Sequence, residues 1–117
     1  MKNIILLLFI GLSLPAMSKS LTENQKIDKL IEYTRNLKDA TFIRNGSEYT
    51  AVQAADHLQL KRKNAGSDIK TARQFIKDLA SVSSMTGNAY MIKFKGGKTY
   101  KFGEFLSRYL DSLEKEG

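Results

Sequence analysis

Apolar positions in this chain come in blocks whose period changes along its length. The first block is continuous. Ile4 to Leu14 is apolar apart from Gly11 and Ser13, Lys2 precedes it, and Pro15 ends it before Ala16-Met17-Ser18. A positive start, a short apolar run and small residues at −3 and −1 form a secretory signal peptide pattern, with cleavage expected after Ser18. A helix that spans a bilayer takes about twenty apolar residues, and this run is little more than half as long. Residues 1–18 are therefore expected to be a leader, and residues 19–117 a single domain.

Beyond the leader the period becomes helical. Leu21, Ile27, Leu30, Ile31, Thr34 and Leu37 fall on one face of a helix expected over about Thr22 to Asp39, capped by Thr22 or Ser20. Thr41-Phe42-Ile43-Arg44 is β-branched and aromatic and predicts a short strand, ended by the turn dipeptide Asn45-Gly46. Thr50 caps a second helix, about Ala51 to Asn64, whose narrow apolar face is Ala51, Ala54, Ala55 and Leu58. Lys61-Arg62-Lys63 suits the negative end of that helix's dipole, as a solvated terminus, and Gly66 stops it. Thr71-Ala72-Arg73-Gln74 reads as a capping box opening the clearest helix, with Ala72, Phe75, Ile76, Leu79, Ala80 and Ser83 on one stripe. A polar loop follows, Ser81 to Asn88.

From Tyr90 to Phe102 the period is two. Register decides the turn. A two-residue Gly96-Gly97 loop would put the aromatic residues of the two strands on opposite faces. A three-residue loop, Lys95-Gly96-Gly97, pairs Ile92 with Tyr100 and Tyr90 with Phe102 on one face, with Gly97 left-handed. Met91, Lys93, Thr99 and Lys101 then form a wet face. The last helix, about Glu104 to Lys115, carries Phe105, Leu106, Tyr109, Leu110 and Leu113. The fold class predicted is α+β: about four helices packed on a small antiparallel sheet made of the C-terminal hairpin, to which strand 41–44 could add.

Composition narrows the chemistry. The chain of 117 residues has no Cys, one His and a formal net charge of +7. Without Cys there is no lipid attachment point at the cleavage site, no stable membrane anchor after cleavage and no disulfide, so the domain relies on its apolar core. One His, no Cys and no HExxH motif leave too few metal ligands, and Gly96-Gly97 is no phosphate loop, so no metal or cofactor is expected. The positive charge favours an anionic partner. Nucleic acid is not expected for an exported protein. An anionic glycan or an envelope protein is.

The segments Phe42-Ile43-Arg44-Asn45-Gly46, Tyr49, Ala54-Ala55-Asp56-His57-Leu58 and Lys61, followed by Thr71-Ala72, Phe75-Ile76, Leu79-Ala80-Ser81, Ser83-Ser84, Thr86-Gly87 and Tyr90, resemble the YfeK-like family of small exported bacterial proteins, a domain of unknown function. The resemblance covers about Thr41 to Ile92. It implies export to the periplasm of Gram-negative bacteria, and no reaction.

The candidate binding surface combines the turn residues Arg44, Asn45 and Tyr49, the helix residues His57 and Lys61, and the loop residues Ser81, Ser83, Ser84, Thr86 and Tyr90. Cations, hydroxyls and aromatic rings of this kind can hold a carboxylate-bearing chain or an anionic glycan. The function expected is a non-enzymatic periplasmic binding module. Two alternatives stay open. His57 could serve Ser81, Ser83 or Ser84 as general base in a small hydrolase, although no Gly-x-Ser-x-Gly is present. Thr86-Gly87-Asn88-Ala89-Tyr90 is also similar to the Ser-Gly-x-x-Tyr loop of some periplasmic lysozyme inhibitors, with Thr in place of Ser.

Overall fold

The computed structural model describes residues 20–116, so the expected leader lies outside the described residues. Helix α1 (Glu23–Arg35) starts at Thr22, whose hydroxyl accepts from Gln25 N while the Gln25 side chain accepts from Thr22 N. This reciprocal capping box satisfies two N–H groups that the helix itself cannot. Ile27, Leu30, Ile31 and Thr34 are its buried face. The helix ends at Asn36, earlier than the apolar spacing suggests, because Asp39 takes a positive φ of 56° to turn the chain into the sheet.

Strand β1 (Ala40–Arg44) is the expected one, but Asn45-Gly46 does more than end it. With φ of 52° and 81° these residues make a two-residue hairpin to a further strand, β2 (Ser47–Tyr49), which the sequence reading missed. Ser47-Glu48-Tyr49 is too short and too polar to show a period. Thr50 then caps helix α2 (Ala51–Ala65) through a second capping box with Gln53, and Gly66 ends it with a φ of 56°.

Helix α3 departs most from expectation. It is α-helical only over Ala72–Phe75 and wound as a π-helix over Ile76–Ala80. Thr71 accepts from Gln74 N as predicted, but the Gln74 side chain bonds Lys70 N, so the box is not reciprocal at Thr71. The wider turn has a local cause. Ser81 Oγ donates to Ile76 O at 2.7 Å and competes for a carbonyl that a regular helix would offer to a backbone N–H.

Strands β3 (Met91–Phe94) and β4 (Thr99–Lys101) pair as Ile92 with Tyr100, and Phe94 N donates to Lys98 O, which makes the three-residue Lys95-Gly96-Gly97 loop as predicted. Both glycines, not Gly97 alone, have positive φ. Phe102 N donates to Tyr90 O, and helix α4 (Phe102–Glu116) follows β4 without a loop. The sheet is four-stranded, ordered β2-β1-β3-β4 and antiparallel throughout. With the four helices it makes an α+β fold.

One continuous core joins sheet and helices. Leu30 of α1, Phe75 of α3, Ile92 of β3, and Leu106 and Leu110 of α4 have no exposed surface. Phe42 and Phe102 meet edge to face at 5.3 Å between ring centres. Truncating such a side chain costs about 2–5 kcal/mol, which sets the scale of what holds a domain without disulfides.

Candidate functional site

Strand register decides which polar residues meet. Tyr49, Phe42, Ile92 and Tyr100 are successive partners across the four strands. Side chains alternate along a strand, so Arg44, two residues beyond Phe42, and Tyr90, two before Ile92, point to that same face. Helix α2 crosses above them. His57 and Lys61, one turn apart on α2, come down on Arg44 and Tyr90.

The two pairs behave differently. Arg44 Nη1 donates to His57 Nε2 at 2.8 Å, and Nη2 lies 3.4 Å from the Tyr49 hydroxyl. A guanidinium has no acceptor, so Nε2 must accept and the ring proton sits on Nδ1. Burial, then the charges of Arg44 and Lys61, push the His57 pKa below its ordinary 6.5. His57 is thus held neutral. Lys61 is tied inward instead. Its ammonium donates to Leu79 O and to the Tyr90 hydroxyl, each at 2.8 Å. It caps a carbonyl at the end of α3 and is not the solvated helix terminus that Lys61-Arg62-Lys63 suggests. Arg62 is not free either, since it pairs with Asp28 of α1.

Beside Arg44 a cleft of about 380 Å³ opens between α2 and the sheet. That lies within the usual range for small-ligand pockets, ~300–1,000 Å³. Phe42, Tyr49, Ala54, Leu58 and Phe102 give it an apolar lining, with Arg44 and His57 as its polar end. Sequence reasoning did not single out Phe42, Ala54, Leu58 or Phe102. The signal is the narrow alanine face of α2, which leaves space opposite aromatic residues of the sheet. Asp56 also borders the cleft, but its carboxylate is bonded to Arg35 at 2.8 Å. Among the described residues no carboxylate pairs with Arg44, whose partners are a neutral imidazole and a phenol.

The loop residues form a separate cluster around Asn45. The Asn45 amide donates to Ser83 Oγ at 3.1 Å, and Asn45 Oδ1 accepts from Thr86 Oγ1 at 2.7 Å. Ser83 is buried, and Ser83 N and Gly87 N close the loop on Asn88 O and Ser83 O. Asn45, Ser83 and Thr86 thus fasten the β1–β2 turn to the loop before β3. Ser81 is committed to Ile76 O, and Ser84 is exposed. Among the described residues no hydrogen bond joins His57 to a serine, so the arrangement gives the hydrolase alternative no nucleophile–base pair. The lysozyme-inhibitor comparison fares no better: Tyr90 is 8% exposed and its hydroxyl is held by Lys61, so the loop does not present it to a partner.

The described residues hold no group of three or more metal-ligating side chains, and none of their helices is long and apolar enough to cross a membrane. No solved structure matches the chain. The Uncharacterized protein YfeK of Salmonella typhimurium is 40% identical over 80 residues, which span 68% of this chain and 67% of that protein. A family model, described as a family of unknown function (DUF5329), matches residues 21–114. On that match, which takes in every strand and nearly all of the helical structure, the chain belongs to the DUF5329 family.

Proposed function

We propose that the chain is an exported periplasmic binding module, not an enzyme, and that its cleft between α2 and the sheet takes an anionic ligand with an apolar portion. The observation that carries this is the Arg44 guanidinium, half-buried at the end of an apolar cleft with only neutral partners. A cation removed from water without a counter-charge is costly, and a ligand carboxylate supplies that charge through two parallel N–H···O bonds. The apolar lining receives the rest of the ligand. The neutral His57 orients the guanidinium without cancelling its charge. Export rests on the pattern of residues 1–18 and fits an envelope-derived ligand such as an acyl carboxylate.

The test uses the fluorescent sulfonate 1-anilinonaphthalene-8-sulfonate as a probe of the full chain. Decanoate is expected to displace it and decanol is not. Arg44→Gln should weaken decanoate binding by about tenfold or more, the equivalent of one charge-assisted bond. Equal displacement by decanol, or an unchanged affinity in Arg44→Gln, overturns the reading.

A further inference from the structure

A second concave surface lies at the other end of the strands, away from Arg44. It is a groove of about 550 Å³ between the β3–β4 hairpin, α1 and α4. Its floor is aromatic. Tyr33 stacks on Tyr109 with ring centres 3.8 Å apart and planes within 3°, and Tyr33 is also stacked near Phe105. Phe94 and Tyr100 continue the surface at 5.4 and 6.4 Å from Phe105. All five rings are half-buried, so each is anchored in the core and also presents surface to solvent.

The rim is positive. Lys95, Lys98 and Arg108 line the groove, all three are exposed, and no carboxylate lines it. Among the described residues the ion pairs fall elsewhere: Lys26 and Arg73 share Glu114, Arg35 takes Asp56, and Arg62 takes Asp28. The three rim cations therefore keep their full charge for a partner.

We propose that this groove binds an anionic oligosaccharide, with sugar rings against the aromatic floor and acid groups against Lys95, Lys98 and Arg108. Charge complementarity requires an anion. The nature of the floor selects a sugar over an acidic peptide. It contains no aliphatic side chain to meet a peptide's apolar anchor, only aromatic rings, and aromatic rings suit the C–H faces of a pyranose. Gly96, at a φ of 100° in the hairpin loop, adds no side chain that would block a polymer running past the tip. The groove is independent of the Arg44 cleft, and either site stands if the other fails.

The experiment titrates the full chain with oligogalacturonate, its methyl-esterified counterpart and poly-L-glutamate, following the ring-proton resonances of Tyr33, Tyr100 and Tyr109. Oligogalacturonate should shift these resonances saturably and more weakly at high salt, with the ester and the polyglutamate bound at least tenfold less tightly. Lys98→Ala combined with Arg108→Ala, both at exposed positions, should lower the oligogalacturonate affinity about tenfold with an unchanged melting temperature. Absence of binding, equal binding of polyglutamate, or shifts confined to the Arg44 and His57 region would each overturn the proposal.

Discussion

Arg44 and Lys61 are both cations next to an aromatic hydroxyl, yet only one is available to a ligand. Lys61 spends its donors on Leu79 O and Tyr90, so its role is to join α2 to α3 and β3. Arg44 donates to His57 and Tyr49 and keeps its charge. His57 makes that arrangement sensitive to pH. Its folded pKa is depressed, by burial first and then by Arg44 and Lys61. Above pH 6.5 the ring is neutral in both folded and unfolded chains, and it adds no pH dependence. Below 6.5 the unfolded chain takes up the proton first, so stability is lost as pH falls from 6.5 toward the lower folded value. Urea unfolding of the wild type and of His57→Gln should differ by a constant amount above pH 6.5 and by a shrinking wild-type advantage below it. A difference independent of pH would show that His57 is not held neutral.

Among elements, the junction of α3 with α4 is the most constrained. Gly103 in the first turn of α4 packs against Ser81, and a Cβ at Gly103 would overlap Ser81 Oγ. That hydroxyl cannot move without releasing Ile76 O, to which the π-helical turn is fitted. Gly103→Ala should therefore destabilise the fold by about 1–3 kcal/mol, the usual cost of overpacking. Ser81→Ala removes the worst overlap, leaving a tight Cβ contact of 3.1 Å, and also removes the carbonyl's partner, so the double variant should be less destabilised than the two single costs added together. Strict additivity in denaturant titrations would separate the two positions.

The same elements mark what could be read from the chain. The capping residues Thr22, Thr50 and Thr71, the strand at Phe42 and the register of the Ile92–Tyr100 hairpin were legible, because each rests on local hydrogen bonding or on a period-two pattern. Strand β2 and the π-helical turn were not. Strand β2 is held by its pairing with β1, and the turn by one side-chain bond from Ser81. Of the candidate site, the sequence brought forward a set of polar residues but could not sort them into the two groups that the fold makes of them. Arg44, Tyr49 and His57 line the cleft, whereas Asn45, Ser83 and Thr86 form a fastening. That sorting depends on which way each side chain turns, and the apolar lining becomes visible only once α2 is laid across the sheet.

At the scale of the whole molecule, α1, α3 and α4 are clasped on the surface by one charge network. Glu23 accepts from Ala72 N and Lys26, and Glu114 takes both Lys26 and Arg73. These exposed pairs each contribute little, and the core supplies most of the stability. The network leaves the sheet's two ends uncovered: the Arg44 cleft at one, the aromatic groove at the other. The chain thus carries two recesses with cations at their edges, and the proposed binding role rests on them. Its central claim, an anion-accepting cleft at Arg44, is tested most directly by following the Arg44 Nε–Hε and His57 ring resonances while decanoate is added to the full chain. The account predicts saturable shifts at Arg44, His57 and Tyr49 that vanish in Arg44→Gln and are blocked by Ala54→Leu, which fills the cleft. Shifts that persist in both variants, or that appear only outside the cleft, would contradict it.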